Sequence, residues 1–268
     1  MIKDITIGQY FPGESLIHKM DPRMKIILTI FYIVLLFCVR NFGGFLIMAS
    51  LIFAVVLISK IPFRIVLKSI KPLLFIIVFT AIFNIFYGKG DAVFPNVKYL
   101  TWLTYDGLEN AAFMAIRIIL LIVGTSFMTY TTSPIMLTDA IERLIAPLKY
   151  IKVPVHELSM MMTIALRFIP TLIDETEKIM NAQKARGADF ETGNIVRRAK
   201  ALIPILIPLI VSAFRRAEEL ADAMECRCYN GGEGRTRYKV YGYQARDFIA
   251  LGVFILITVA IVLLNSLF

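Results

Sequence analysis

The sequence predicts an all-α integral membrane protein: about five transmembrane helices, plus a helical cytoplasmic domain with two long motif-bearing helices. Three observations carry that prediction. Of 268 residues, 58% are apolar and 18% charged, with a mean hydropathy of +0.72, whereas a soluble domain is roughly 45–50% apolar. The apolar residues gather in runs long enough to cross a bilayer as helix. The 29 Lys and Arg, against 20 Asp and Glu, leave a net charge of +9 for which the spans have little room. Composition thereby excludes a disordered chain and a nucleic-acid-binding tail, and three cysteines do not make a disulfide scaffold.

Residues 1–131 read as an N-terminal membrane domain with four spans. The first 23 residues are polar and lack the apolar core of a cleavable signal. Asp21-Pro22 marks a helix start, a carboxylate cap followed by proline at the first helical position. The first span is expected over about 22–41, about 30 Å at ~1.5 Å per residue. Gly43-Gly44 suggests a tight turn, and a second span runs over 43–59. The third, 72–87, lies between Lys71 and Gly88. The fourth, 111–131, contains Arg117, an intramembrane charge costing about 2.5–3.5 kcal/mol on insertion scales. Its partner is a carbonyl or a buried acid, or it belongs to a solute path. The last span occupies 247–268, uncharged from Phe248 onward.

Five spans leave two faces. One receives 25 basic residues, from 1–25, 59–71 and 132–246; the other receives Arg40, Lys89 and Lys98. The short loops alone give eight against three, so the positive-inside rule places the N-terminus inside and the C-terminus outside.

Residues 132–246 form the expected helical cytoplasmic domain, too long for a structureless connection. Two apolar stretches, 158–173 and 201–214, read as helices near the cytoplasmic membrane surface, because the first carries Arg167 and Pro170 and the second Pro204 and Pro208. A paired sixth and seventh span is the alternative. Pro204 and Pro208 should bend their helix, either as a packing kink or as a compliant segment. Met160–Met162 suits an adaptable surface or ordinary core packing.

Each stretch leads into a charged stem, and a shift of 41 residues aligns the two. Arg186 falls on Arg227, Glu177 on Glu218 and Ala182 on Ala223, so each stem ends in an arginine with small neighbours. The triplets are Ala185-Arg186-Gly187 and Cys226-Arg227-Cys228. An arginine there complements the helix dipole and caps carbonyls. The small flanks and the duplication also suit docking to two equivalent or homologous partners, since the guanidinium fork recognises carboxylates and carbonyls.

Catalytic signatures are missing from the sequence. Gly88-Lys89-Gly90 lacks the spacing and hydroxyl of a nucleotide-binding loop. His18 and His156 stand in no metal-ligand spacing, and no second cysteine pair joins Cys226 and Cys228. No enzymatic activity, metal or cofactor is therefore expected of this chain.

The sequence closely resembles the transmembrane T component of energy-coupling factor (ECF) transporters, the EcfT family. Residues Ser15 to Lys25, Asp106-Gly107-Leu108 leading to Arg117, Arg167-Phe168-Ile169-Pro170 and the two arginine triplets carry the resemblance. It covers nearly the whole chain. The second triplet departs from the Ala-Arg-Gly form while keeping the arginine and small flanks. The resemblance implies a non-catalytic, multi-pass scaffold of the prokaryotic cell membrane, whose crossing coupling helices dock through Ala185, Arg186, Gly187, Cys226, Arg227 and Cys228 into two homologous ABC ATPase subunits. Those subunits bind the ATP, and a membrane-embedded substrate-binding S component takes the vitamin or micronutrient. A self-sufficient secondary transporter is the alternative; the lack of intramembrane acids speaks against it.

Overall fold

The structure, a computed structural model, describes residues 10–87, 104–190, 194–231 and 242–267. Among these the regular elements are helices: α1 (Pro22–Cys38), α2 (Phe42–Ser59), α3 (Phe63–Ile70), α4 (Leu74–Tyr87) and α5 (Tyr105–Thr131). They continue with α6 (Pro134–Ile145), α7 (Val155–Ala185), α8 (Ile195–Glu225) and α9 (Ala245–Leu267). Two compact units result, one within Gly8–Ser133 and Tyr241–Phe268, the other within Pro134–Val240.

In the first unit, four stretches are long and apolar enough to cross a membrane: Phe42–Ser59, Phe63–Phe86, Tyr105–Thr131 and Ala245–Ser266. Helix α1 has 17 residues, about 25 Å at ~1.5 Å per residue, a shortfall that local bilayer thinning accommodates cheaply. Its end corrects the first expected boundary. Val39 takes an extended backbone, φ −68° and ψ 126°, and Asn41 caps α2 from a β conformation. The turn is therefore Val39–Asn41, and Gly43-Gly44 lie inside α2. The third boundary also moves. The helical path begins at Phe63, and a single 3-10 turn at Lys71–Leu73, where Pro72 lacks a donor, joins α3 to α4. Arg64, Lys68 and Lys71 thus stand on an exposed helical face rather than in a loop. Helix α5 begins at Tyr105, ahead of the expected 111, and α9 at Ala245. Lys89 and Lys98 lie outside the described residues.

The core of this unit draws on α1, α2 and α5, with Leu36, Val39 and Met48 fully buried and Ile261 joining from α9. Large apolar side chains such as Phe53, Phe75 and Leu256 face outward, as suits helices solvated by lipid. Tyr32 lies at the centre, its hydroxyl donating to the Leu120 carbonyl at 2.7 Å. Gly124 makes this possible: a Cβ there would lie 2.3 Å from the Tyr32 ring. Gly124→Ala should therefore cost about 1–3 kcal/mol, the range for overpacking a core. Thermal unfolding in detergent checks this, and Tyr32→Leu added to the same chain should recover part of the loss.

The residues before α1 form a buried anchor. His18 Nε2 lies 3.0 Å from the Phe11 carbonyl and Nδ1 lies 2.7 Å from Ser15 Oγ. Burial pushes the imidazole below its ordinary pKa; the Phe11 hydrogen bond opposes this shift and the Lys25 charge adds to it. The ring is neutral at pH 7, so Nε2–H donates to Phe11 and Nδ1 accepts from the Ser15 hydroxyl. Lys25 donates to the Thr131 and His18 carbonyls at 2.9 and 3.3 Å. Asp21 caps α1, accepting from Arg23 N at 2.9 Å, and Arg23 stacks over Tyr243, 4.7 Å from the ring centre.

Asp247, fully buried at the start of α9, accepts from Asp21 N at 3.1 Å and Gln244 N at 2.8 Å. At the far end, Asn265 donates to the Cys38 carbonyl at 2.9 Å and Asn41 to the Leu264 carbonyl at 3.4 Å. Start meets start and end meets end, so α1 and α9 run parallel.

Arg117 donates to the Val39 carbonyl at 2.9 Å and sits over the rings of Phe45 and Phe37. Of the alternatives the sequence left open, the carbonyl partnership is the one formed. The guanidinium satisfies a carbonyl left free at the end of α1.

Candidate functional site

The second unit is dominated by α7 and α8, each a helix of 31 residues, about 46 Å at ~1.5 Å per residue. Short α6 packs beside α7, where Glu142 Oε1 lies 3.1 Å from His156 Nδ1. The apolar stretches 158–173 and 201–214 lie inside α7 and α8, and Pro170, Pro204 and Pro208 are all interior to them. Neither helix holds a stretch apolar and charge-poor enough to count among the candidate spans.

The structure places the two triplets at the C-terminal ends of separate helices, each with the same hydrogen-bond pattern. After α7, Gly187 N donates to Lys184 O at 3.0 Å and Ala188 N to Gln183 O at 3.0 Å. After α8, Cys228 N donates to Glu225 O at 2.8 Å and Tyr229 N to Met224 O at 3.0 Å. Both are Schellman motifs, offset by the same 41 positions as the sequence repeat. The left-handed residue is Gly187 at φ +86° in the first and Cys228 at φ +56° in the second. Arg186 and Arg227 stand immediately before it, exposed, with no side-chain partner among the described residues. Local backbone chemistry thus aims each guanidinium outward from a helix end whose carbonyls are already satisfied.

Cysteine is a poor occupant of that conformation, since a side chain there costs about 1–2 kcal/mol and glycine avoids it. Cys228→Gly should therefore stabilise the end of α8 by about 1 kcal/mol, read as slower amide hydrogen exchange at Cys228 and Tyr229. Gly187→Ala should loosen the end of α7 by a similar amount.

Sequence reasoning missed what joins the two helices. Glu175 on α7 takes an ion pair from Arg216 and a 2.5 Å hydrogen bond from Ser212 Oγ on α8. These three are partly buried. Glu175 and Arg216 are themselves 41 positions apart, each eleven residues before its terminal arginine. The helices therefore meet at equivalent points of the repeat, and the two arms beyond the contact have equal length, about 16 Å at ~1.5 Å per residue. Only the shared offset could have signalled this pair in the sequence. Beside the contact lies a groove of about 490 Å³, lined by Ile164, Phe168 and Leu172 of α7 and Leu220, Met224 and Tyr229. Apolar exposure continues along α8 through Leu202, Leu206, Ile207 and Phe214, and on α7 at Met161 and Met162. The two methionines are surface residues. His18 is held by Ser15 and the Phe11 carbonyl and His156 by Glu142, and among the described residues no cluster of metal-ligating side chains occurs. Cys226 and Cys228 are free and exposed.

These features define an all-α integral membrane protein whose second helical unit presents two equivalent arginine-bearing ends and broad apolar faces. The family described as CbiQ, cobalt transport protein, matches residues 13–238. The chain is 54% identical over 268 residues, all of both chains, to the energy-coupling factor transporter transmembrane protein EcfT of Ruminiclostridium cellulolyticum. It is 56% identical over 251 residues, 93% of each chain, to the EcfT of Clostridium kluyveri. To that of Lactococcus lactis subsp. cremoris it is 44% identical over 262 residues, 98% of each. The chain belongs to this family, as the transmembrane component of an energy-coupling factor transporter.

Proposed function

We propose that this chain couples ATP hydrolysis by two homologous ABC ATPase subunits to uptake of a vitamin or micronutrient held by a separate S component. One observation carries the reading: two helix ends with matching caps, 41 residues apart, present Arg186 and Arg227 at equal distances from the Glu175–Arg216 contact. Paired docking points suit paired partners. Ala185, Gly187, Cys226 and Cys228 are the small residues that let a partner surface close around each guanidinium. The exposed apolar faces of α7 and α8 are of the kind that mark protein or membrane contact, and the S component is the occupant we assign to them. ATP stays on the ATPase subunits, so this chain carries no cofactor. The docking unit is cytoplasmic, with the N-terminus inside and the C-terminus outside a prokaryotic cell membrane. Parallel α1 and α9 require an odd number of crossings between them, and the three apolar paths Phe42–Ser59, Phe63–Phe86 and Tyr105–Thr131 support five spans.

Two of the three native thiols test this, in a chain carrying Cys38→Ser. In sealed, oriented vesicles, Cys226 and Cys228 should react with an impermeant maleimide only from the cytoplasmic side. Adding the two ATPase subunits should slow that reaction by an order of magnitude or more. Unchanged labelling in the assembled complex would overturn the docking assignment.

A further inference from the structure

A cavity of about 430 Å³ lies in the membrane unit between α1, α2, α5 and α9, lined by Tyr32, Ile52, Val55, Phe127, Ala250 and Phe254 among others. Its volume is that of a small-ligand pocket, about 300–1,000 Å³. Its polar lining atoms are already engaged within the protein. The Lys25 ammonium donates to Thr131 and His18 carbonyls, the Tyr32 hydroxyl to Leu120, the Thr29 hydroxyl to Lys25 and the Thr131 hydroxyl to Phe127. The interior therefore offers hydrocarbon contact and no free hydrogen-bonding group. The exception is Arg246, which lines the cavity, is exposed, and has no side-chain partner among the described residues. From Arg246 to Phe254 is eight residues of α9, about 12 Å at ~1.5 Å per residue, most of one leaflet of a ~30 Å hydrocarbon core.

An apolar slot one leaflet deep, with Arg246 as its one lining cation not engaged by a described residue, matches one ligand chemistry, a hydrocarbon chain bearing an anionic head. We propose that this cavity is a binding site for one acyl chain of an anionic phospholipid of the cytoplasmic leaflet, its phosphate held by Arg246. The inward placement of this end of the bundle rests on the topology proposed above. That leaflet is the one with a negative surface potential, and the basic residues Lys19, Arg23 and Lys60 lie at the same helix ends.

The full chain in phosphatidylcholine nanodiscs, doped with phosphatidylglycerol carrying a photoreactive acyl chain, tests this. Adducts should concentrate on cavity-lining residues, and unlabelled phosphatidylglycerol should compete better than phosphatidylcholine. Arg246→Gln should lower cavity labelling about five-fold, the effect of one surface cation facing an anionic leaflet. Ala250→Trp should abolish it while labelling at outward-facing Phe53 and Leu256 persists, which shows that the variant is folded. Adducts spread evenly over the outer faces, equal competition by the two lipids, or indifference to Arg246→Gln would overturn the site. So would loss of cavity labelling when the S component is added to the nanodiscs, which would assign the slot to a partner polypeptide. Arg246→Cys in a chain otherwise free of cysteine separates the two readings: reaction with an impermeant maleimide from outside overturns the topology, whatever the lipid result.

Discussion

Arg186→Glu combined with Arg227→Glu is expected to strip both ATPase subunits from the purified complex while leaving the membrane unit folded. Each arginine is exposed and backed by a helix end whose carbonyls are already bonded, so neither is needed to hold its own cap. A buried interface arginine is worth about 2 kcal/mol or more when removed, roughly thirty-fold in affinity per arm, and reversal adds repulsion against whatever carboxylate it met. The equal arms make the loss stepwise: either single variant should weaken one subunit's attachment, and only the double variant should release both. Arg→Lys at either tip keeps the charge and loses the planar fork, so an intermediate loss there would identify bidentate recognition. Full ATPase recovery with the double variant would remove the two tips from the docking surface.

The second large effect is expected from Asp247→Ala. That carboxylate is fully buried, accepts the backbone N–H of Asp21 and of Gln244, and acts electrostatically on the buried Lys25 ammonium. Its removal leaves two donors unsatisfied and Lys25 less compensated. Breaking a buried charged arrangement by deleting one partner costs about 3–5 kcal/mol, a large share of the 5–15 kcal/mol that typically stabilises a fold. A drop of many degrees in thermal unfolding, with the chain lost from mild detergent extracts, is the expected outcome. Asp247→Asn keeps acceptor capacity without the charge and should fall between; wild-type stability in the alanine variant would show the anchor to be incidental.

The helical class, the apolar runs and the two arginine triplets were legible in the sequence because each is a local signal. Asp21-Pro22 likewise announced the start of α1, since a cap and a first-turn proline are neighbours in sequence. What escaped is non-local or depends on competition between neighbours. Gly43-Gly44 looked like the turn, but Asn41 caps α2 and places both glycines within the helix. Residues 63–71 looked like a basic loop because Arg64, Lys68 and Lys71 recur there, whereas their spacing puts them on one helical face. Glu175 and Arg216 are unremarkable in their own segments and acquire meaning only when α7 meets α8. The cavity was invisible for a related reason. On a helix apolar all round, residues that line a pocket read the same as residues that face lipid.

The pairing of α1 with α9 also sets an order on biogenesis. The hydrogen bond between Asp21 and Asp247 spans 226 positions, and that between Cys38 and Asn265 spans 227. At synthesis rates of about 5–20 residues per second, α1 waits tens of seconds in the bilayer, its charged start lacking the α9 carboxylate. The second unit, encoded between them, leaves the ribosome whole during that interval. The bundle closes around a clasp made only when translation has passed α7 and α8. A chain interrupted anywhere before α9 is thus left with Lys25 less compensated and an open seam along α1. The clasp thus ties closure of this bundle to the synthesis of α9, the helix that supplies Asp247 and Asn265.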